Sequence, residues 1–147
     1  MKQLKHYLIV SIFAFLFVSC STDRDTNSNY ALDTDQLIED LRVISSDSTE
    51  GRRTGTEGNQ IAREYLVNRF VEEGAEPFQG SNTHEFVFNS RQGEEMTGVN
   101  VIGQISGDSD SVIVITAHYD HIGMRDSLIF NGADDDASGT AALLAIH

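Results

Sequence analysis

Val112–Gly123 reads VIVITAHYDHIG and Asn131–Gly139 reads NGADDDASG. Val112 to Ala117 is almost wholly apolar, the pattern of a central strand covered on both faces, and Gly107-Asp108-Ser109-Asp110 offers a hairpin turn ahead of it. At the end of such a strand His118 and Asp120 stand two residues apart, so their side chains point the same way. A neutral imidazole supplies a ligand nitrogen, and a nearby carboxylate can accept its other N–H and fix the ring. Strand ends in α/β sheets are also where ligand sites form.

The second stretch places Asp134, Asp135 and Asp136 in a loop that opens a helix near Ser138. Three like charges in a row repel. The helix N-terminus offsets part of this, at roughly 0.3–1 kcal/mol, and a divalent cation offsets more. A carboxylate can bridge two metal ions about 3.5–4 Å apart, which one imidazole cannot. Taken singly, the His-x-Asp is a common chance pattern and the aspartate run reads as a solvated loop or a helix cap. Their succession between Val112 and Gly139 is more specific than either alone.

Working outward, Asp33 or Thr34 caps a first helix bearing Leu37, Ile38, Leu41 and Ile44. A turn-rich stretch, Ser45 to Gly58, follows it. A second helix runs from about Thr56 to Glu73, with Ile61, Ala62, Tyr65, Leu66 and Phe70 on one stripe and Gly74 as its stop. His84 to Phe88, Gly98 to Ile105 and Ser111 to Ala117 read as strands. The expected fold class is α/β, a mixed, largely parallel central sheet flanked by helices, with residues 32–147 as the N-terminal part of one domain. The helical pattern from Ser138 still runs at Ile146-His147, so the chain reads as a portion of a longer domain. Tyr119 is expected in the core, His84 as an ordinary strand residue and Ser138 as a helix cap. Arg52 and Arg53 are expected at the surface or fixing a loop, and His121 beside the cleft. There is no G-x-S-x-G elbow.

The N-terminus reads as an address. Residues 1–6 are basic and Tyr7 to Val18 is apolar apart from Ser11. Twelve helical residues span roughly 18 Å against a hydrocarbon core of about 30 Å, which favours an export signal over a membrane span. Cys20, the sole cysteine, follows Phe17-Val18-Ser19 in a stretch that resembles a lipobox, although Phe17 stands where leucine is usual. Residues 1–19 are therefore expected to be a lipoprotein signal peptide, Cys20 the lipid-anchored first residue and residues 20–31 a flexible tether, giving an exported protein of the cell envelope. Both lysines fall in the first five residues, leaving eight arginines against 23 acids. Such an acidic body repels nucleic-acid backbones, so no nucleic-acid partner is expected.

AHYDHIG and NGADDDASG, with weaker support from GRRTGTEGN, the helix after it and NVIG, resemble the bacterial leucyl aminopeptidase family of di-zinc exopeptidases over roughly residues 35–147. That family also contains glutamate carboxypeptidases, and glutaminyl cyclases and transferrin-receptor ectodomains are relatives. The resemblance implies two zinc ions, with His118 and Asp135 as metal ligands, Asp135 as the bridge, Asp120 in the catalytic role of orienting His118, and a cis peptide bond after Asp135. It implies hydrolysis of peptide substrates from a free N-terminus by water activated between the metals. It also puts a glutamate base, a neighbouring glutamate ligand, a further aspartate and a second histidine downstream, and His147 falls too early to be that histidine. The chain as given is accordingly expected to be inactive. The competing readings are a non-catalytic surface binding module of the same fold and a related amidohydrolase or cyclase.

Overall fold

The computed structural model describes residues 31–146. The expected signal over residues 1–19, the lipid-anchor Cys20, the tether up to residue 30 and His147 lie outside the described residues.

Helix α1, Thr34–Ile44, starts where the Asp33 carboxylate accepts the Gln36 N–H at 2.9 Å, which satisfies one of the free donors of its first turn. Its inward face differs from the expected stripe. Ile38 is exposed, while Asp40 and Ile44 are buried. The turn of the helix follows from what Asp40 meets on α2, Glu57–Glu72. Its carboxylate accepts from Arg69 Nε (2.9 Å), Tyr65 Oη (2.6 Å) and Gln36 Nε2 (2.9 Å). Arg69 also reaches Glu72 at 2.8 Å and pairs with Glu73. Burial works against the Arg69 charge, but the hydrogen bonds to Glu72, Asp40 and Glu73 outweigh it and hold its pKa above the ordinary arginine value. Burial, with the Asp40 bond, likewise pushes Tyr65 up. A buried pair of this kind contributes little net energy when intact and costs much when one partner is removed.

Thr56 caps α2 by accepting from Asn59 N, and the helix stops as expected near Gly74, whose φ of 76° is open to glycine without penalty. Between α1 and α2 lies a 3-10 turn, Asp47–Arg52, in which Glu50, Gly51 and Arg52 all take positive φ.

Six short strands follow: β1 (Glu76–Pro77), β2 (Thr83–Asn89), β3 (Glu95–Val101), β4 (Gly103–Gln104), β5 (Gly123–Arg125) and β6 (Leu128–Phe130). They pair antiparallel as β1 with β4, β2 with β3 and β5 with β6. In the longest hairpin Phe86 lies opposite Gly98 and Val87 opposite Thr97. The chain thus has the mixed helix and strand content of an α/β fold, but among the described residues the sheets are two-stranded and antiparallel, not the largely parallel central sheet expected.

The expected strand from Ser111 to Ala117 joins no sheet among the described residues, and the Gly107–Asp110 turn closes no hairpin. Val112, Ile113 and Val114 are 82%, 88% and 77% exposed. Periodicity gives a strand its character but not its neighbours, and no described segment flanks this one. The β5–β6 hairpin, in turn, was not foreseen. Its strands are three residues each, too short to show alternation.

A seven-residue helix, α3 (Ser138–Leu144), completes the described structure. The core cluster joins Ile44 of α1, Leu66 of α2, and Ala137 and Leu144 at either end of α3, with Leu41, Tyr65, Phe70, Val101 and Tyr119 packed on it. Burying about 1.5–3 kcal/mol of apolar side chain at each large position fixes two chemically important neighbours of the core. Ala137 ends the acidic loop, and Tyr119 sits between His118 and Asp120.

Candidate metal centre

His118 lies in the extended segment before β5, and its main chain is held from two sides. Its carbonyl accepts from Thr140 Oγ1 of α3 at 3.0 Å, and its N–H donates to Asp136 Oδ2 at 3.3 Å. Tyr119 points the opposite way into the core, as expected, and its hydroxyl donates to Val99 O at 2.7 Å. Burial raises its pKa, with nearby Arg63 opposing. Alternation then puts His118 and Asp120 together on the open side.

The acidic loop starts at Gly132, in the left-handed region with φ 53° and ψ 50°. A Cβ there would come within 2.6 Å of the His121 ring, so only glycine fits. The Ala137 N–H closes back onto Gly132 O at 3.2 Å, and the Asp135–Asp136 peptide bond is cis, as the resemblance implied. Ser138 is not the cap foreseen for it. It is the first residue of α3, its hydroxyl donates to Asp134 O, and the Asp136 carboxylate accepts from Gly139 N at 3.1 Å instead. A carboxylate two residues upstream reaches the free amides better than the short serine hydroxyl does.

This folding brings His118 and Asp135 together, with Nε2 and Oδ1 3.2 Å apart. Asp136 Oδ2 is 3.9 Å from Nε2, and the second Asp135 oxygen is 3.8 Å from His121 Nδ1. Asp134 has no place in the cluster. The expected contact of Asp120 with His118 takes a modified form. His118 Nδ1 lies 3.0 Å from the main-chain oxygen of Asp120 and 3.7 Å from its carboxylate. The carboxylate accepts instead from Thr54 Oγ1 at 3.1 Å.

The donor chemistry suits zinc. A carbonyl oxygen only accepts, so the hydrogen bond to Asp120 O puts the proton of a neutral imidazole on Nδ1 and leaves Nε2 as a lone pair. Nε2 and Asp135 Oδ1 then face each other as two acceptors, an arrangement that calls for a cation or a proton between them. Two ligands each about 2.0–2.1 Å from a tetrahedral zinc are about 3.3 Å apart, close to the spacing found. Among the described residues no group of three or more His, Cys, Asp or Glu is arranged to hold a metal ion. The fit therefore extends to a pair of donors.

Sequence reasoning left Arg52 among surface or loop-fixing residues. Arg53 is exposed, but Arg52 is 0% exposed. Its guanidinium donates to Ile44 O (2.7 Å), Tyr119 O (2.7 Å), Asn131 O (2.6 Å) and Gly132 O (2.9 Å). Burial lowers its pKa, and the charges of Asp120 and Asp135 work in the opposite sense. Hydropathy alone assigns an arginine to the surface, and the one available signal was its place after Gly51 in a turn. Thr54 and Thr140, also unforeseen, act through single hydroxyls that carry no sequence pattern.

Compared with known proteins, residues 100–147 match Peptidase family M28. The matched stretch holds both segments of the site, His118 with Asp120 and the acidic loop. It points to a peptidase of the zinc exopeptidase kind in general terms. No curated protein matches the chain.

Proposed function

We propose that this chain carries part of the active site of a zinc-dependent aminopeptidase, which removes residues from peptides with a free N-terminus. The observation that carries the reading is the facing pair of acceptors, His118 Nε2 and Asp135 Oδ1 at 3.2 Å, inside the stretch that matches a peptidase family. His118 and Asp135 would hold zinc, with Asp135 free to use both oxygens. Zinc, when bound, supplies Lewis-acid chemistry and activates water. The remaining work belongs to the protein. The Asp120 carbonyl holds the proton on His118 Nδ1, and Thr140 and Asp136 fix the His118 main chain. Asp120 is the positioning residue of the set through its main chain, and its carboxylate, joined to Thr54, adds negative charge beside the metal donors.

Two donors are too few for a catalytic zinc site. The reading therefore keeps the general base and the other ligands on sequence beyond residue 147, where the resemblance puts them, and residues 32–147 as the N-terminal part of the domain. It also keeps export through residues 1–19 and a lipid anchor at Cys20, so that the domain acts at the cell envelope.

The test is hydrolysis of aminoacyl p-nitroanilides by the zinc-loaded natural polypeptide, beside the same substrates N-acetylated and the His118→Ala variant. Cleavage confined to free amines and lost in His118→Ala is expected. Equal activity of the variant would remove the assigned role, and cleavage of acetylated substrates alone would remove the aminopeptidase reading.

A further inference from the structure

The structure assigns Arg52 a role as a further positioning residue of the metal centre, a clamp that helps to set the spacing between the His118 segment and the Asp135 loop. The inference rests on the zinc reading above. The two donors lie 17 residues apart in the chain, and the bonds of Asp136 and Thr140 to the His118 main chain leave the Tyr119 and Asn131–Gly132 main chains to be fixed from elsewhere. Arg52 fixes them through their carbonyls. Its Nε takes the carbonyl of Tyr119, the residue between His118 and Asp120, while its Nη1 and Nη2 take the carbonyls of Asn131 and Gly132, which open the acidic loop. Nη1 also takes Ile44 O at the end of α1, so both segments are referred to the helical core.

The Arg52 main chain completes the clamp. Its carbonyl accepts from His121 N at 3.2 Å and from Asn59 Nδ2 at 3.0 Å. Gly51 permits the close approach, since a Cβ there would meet Gly123 O and Phe130 O of the β5–β6 hairpin, both at 2.5 Å. Four carbonyls around one planar fork leave lysine, with a single nitrogen, unable to reach both segments. A buried cation surrounded by carbonyls also balances Asp120 and Asp135 without competing as a ligand.

The test compares Arg52→Lys and Arg52→Met with Arg69→Lys, which alters a buried arginine bonded to Asp40, Glu72 and Glu73 rather than to the site segments. Zinc affinity by chelator competition, the visible spectrum of the cobalt(II) form and amide exchange at His121 and Ala137 are read on the natural polypeptide. Removing such an outer-shell partner is expected to weaken zinc binding by about 10–100-fold and to alter the cobalt spectrum. Arg69→Lys lowers stability and leaves both unchanged. An unaltered spectrum and affinity in Arg52→Lys would overturn the clamp.

If the unsubstituted protein binds no zinc, the zinc reading falls, and exchange decides the clamp alone. Joint loss of protection at His121 and Ala137 in Arg52→Lys supports it, and loss at neither or only one overturns it. Should neither Arg52 variant fold, the Arg52 Nε–H resonance of the unsubstituted protein decides. A slowly exchanging signal that shifts on zinc addition supports the clamp, and a rapidly exchanging or unshifted one overturns it.

Discussion

Gly132→Ala separates two costs that usually arrive together. Gly132, with φ 53°, demands a left-handed residue; Gly74 has φ 76° and makes the same demand at the end of α2. A Cβ at Gly74 meets nothing within 4 Å, whereas at Gly132 it meets the His121 ring at 2.6 and 2.7 Å and crowds Asp135 O. Left-handed backbone costs alanine about 1–2 kcal/mol at either site. Overpacking adds roughly 1–3 kcal/mol where backbone and ring cannot both withdraw. Gly74→Ala should therefore cost about 1–2 kcal/mol and Gly132→Ala about 2–5 kcal/mol, with the excess taken up by displacement of the acidic loop. Equilibrium urea unfolding of both variants measures the two costs on a common scale. Zinc affinity then shows whether the loop has moved, with a fall for Gly132→Ala alone. Equal destabilisation by the two substitutions, with affinity intact in both, would refute the reasoning that the loop is packed against His121.

Asp40→Ala should cost about 3–5 kcal/mol in urea unfolding because it strands the buried Arg69 guanidinium, and a cost under about 1 kcal/mol would contradict the network described. Tyr65 has a raised folded pKa, caused by burial and then by its bond to Asp40. Its contribution is fully present below the unfolded value of about 10 and is lost as pH rises beyond it, so Tyr65→Phe should flatten the alkaline limb of the stability curve. An unchanged limb would place the alkaline loss elsewhere. The exposed, unpaired Val112–Ile115 stretch should promote self-association, which Ile113→Lys should reduce in sedimentation velocity, and identical profiles would argue against it.

The helices were legible because their signals are local. Asp33, Thr56 and Gly74 mark helix ends by chemistry that acts over three or four residues. The pairing of His118 with Asp135 was legible for a different reason, since it came from motif resemblance rather than from periodicity. What escaped was long-range. Ile38 turned outward because Asp40 found Arg69 and Tyr65 on another helix, a choice that no stripe in α1 discloses. Val112–Ala117 has the composition of a buried strand, yet composition names no hydrogen-bonding neighbour. Arg52 fixes a loop, as one of its two expected roles had it, but its burial escaped because that depends on carbonyls from three separated segments, each contributing an ordinary main-chain oxygen. Ser138 lost its expected capping role because the loop geometry at Asp136 brings a carboxylate to the same amides.

The most direct measurement of the central claim is the X-ray absorption fine structure of the zinc-loaded protein, recorded beside His118→Ala and Asp135→Ala with zinc affinity determined for each. The account predicts nitrogen and oxygen ligands at about 2.0–2.2 Å with imidazole scattering, loss of an imidazole contribution in His118→Ala and much weaker binding in both variants. Zinc held with the same spectrum and the same affinity in both variants would contradict it.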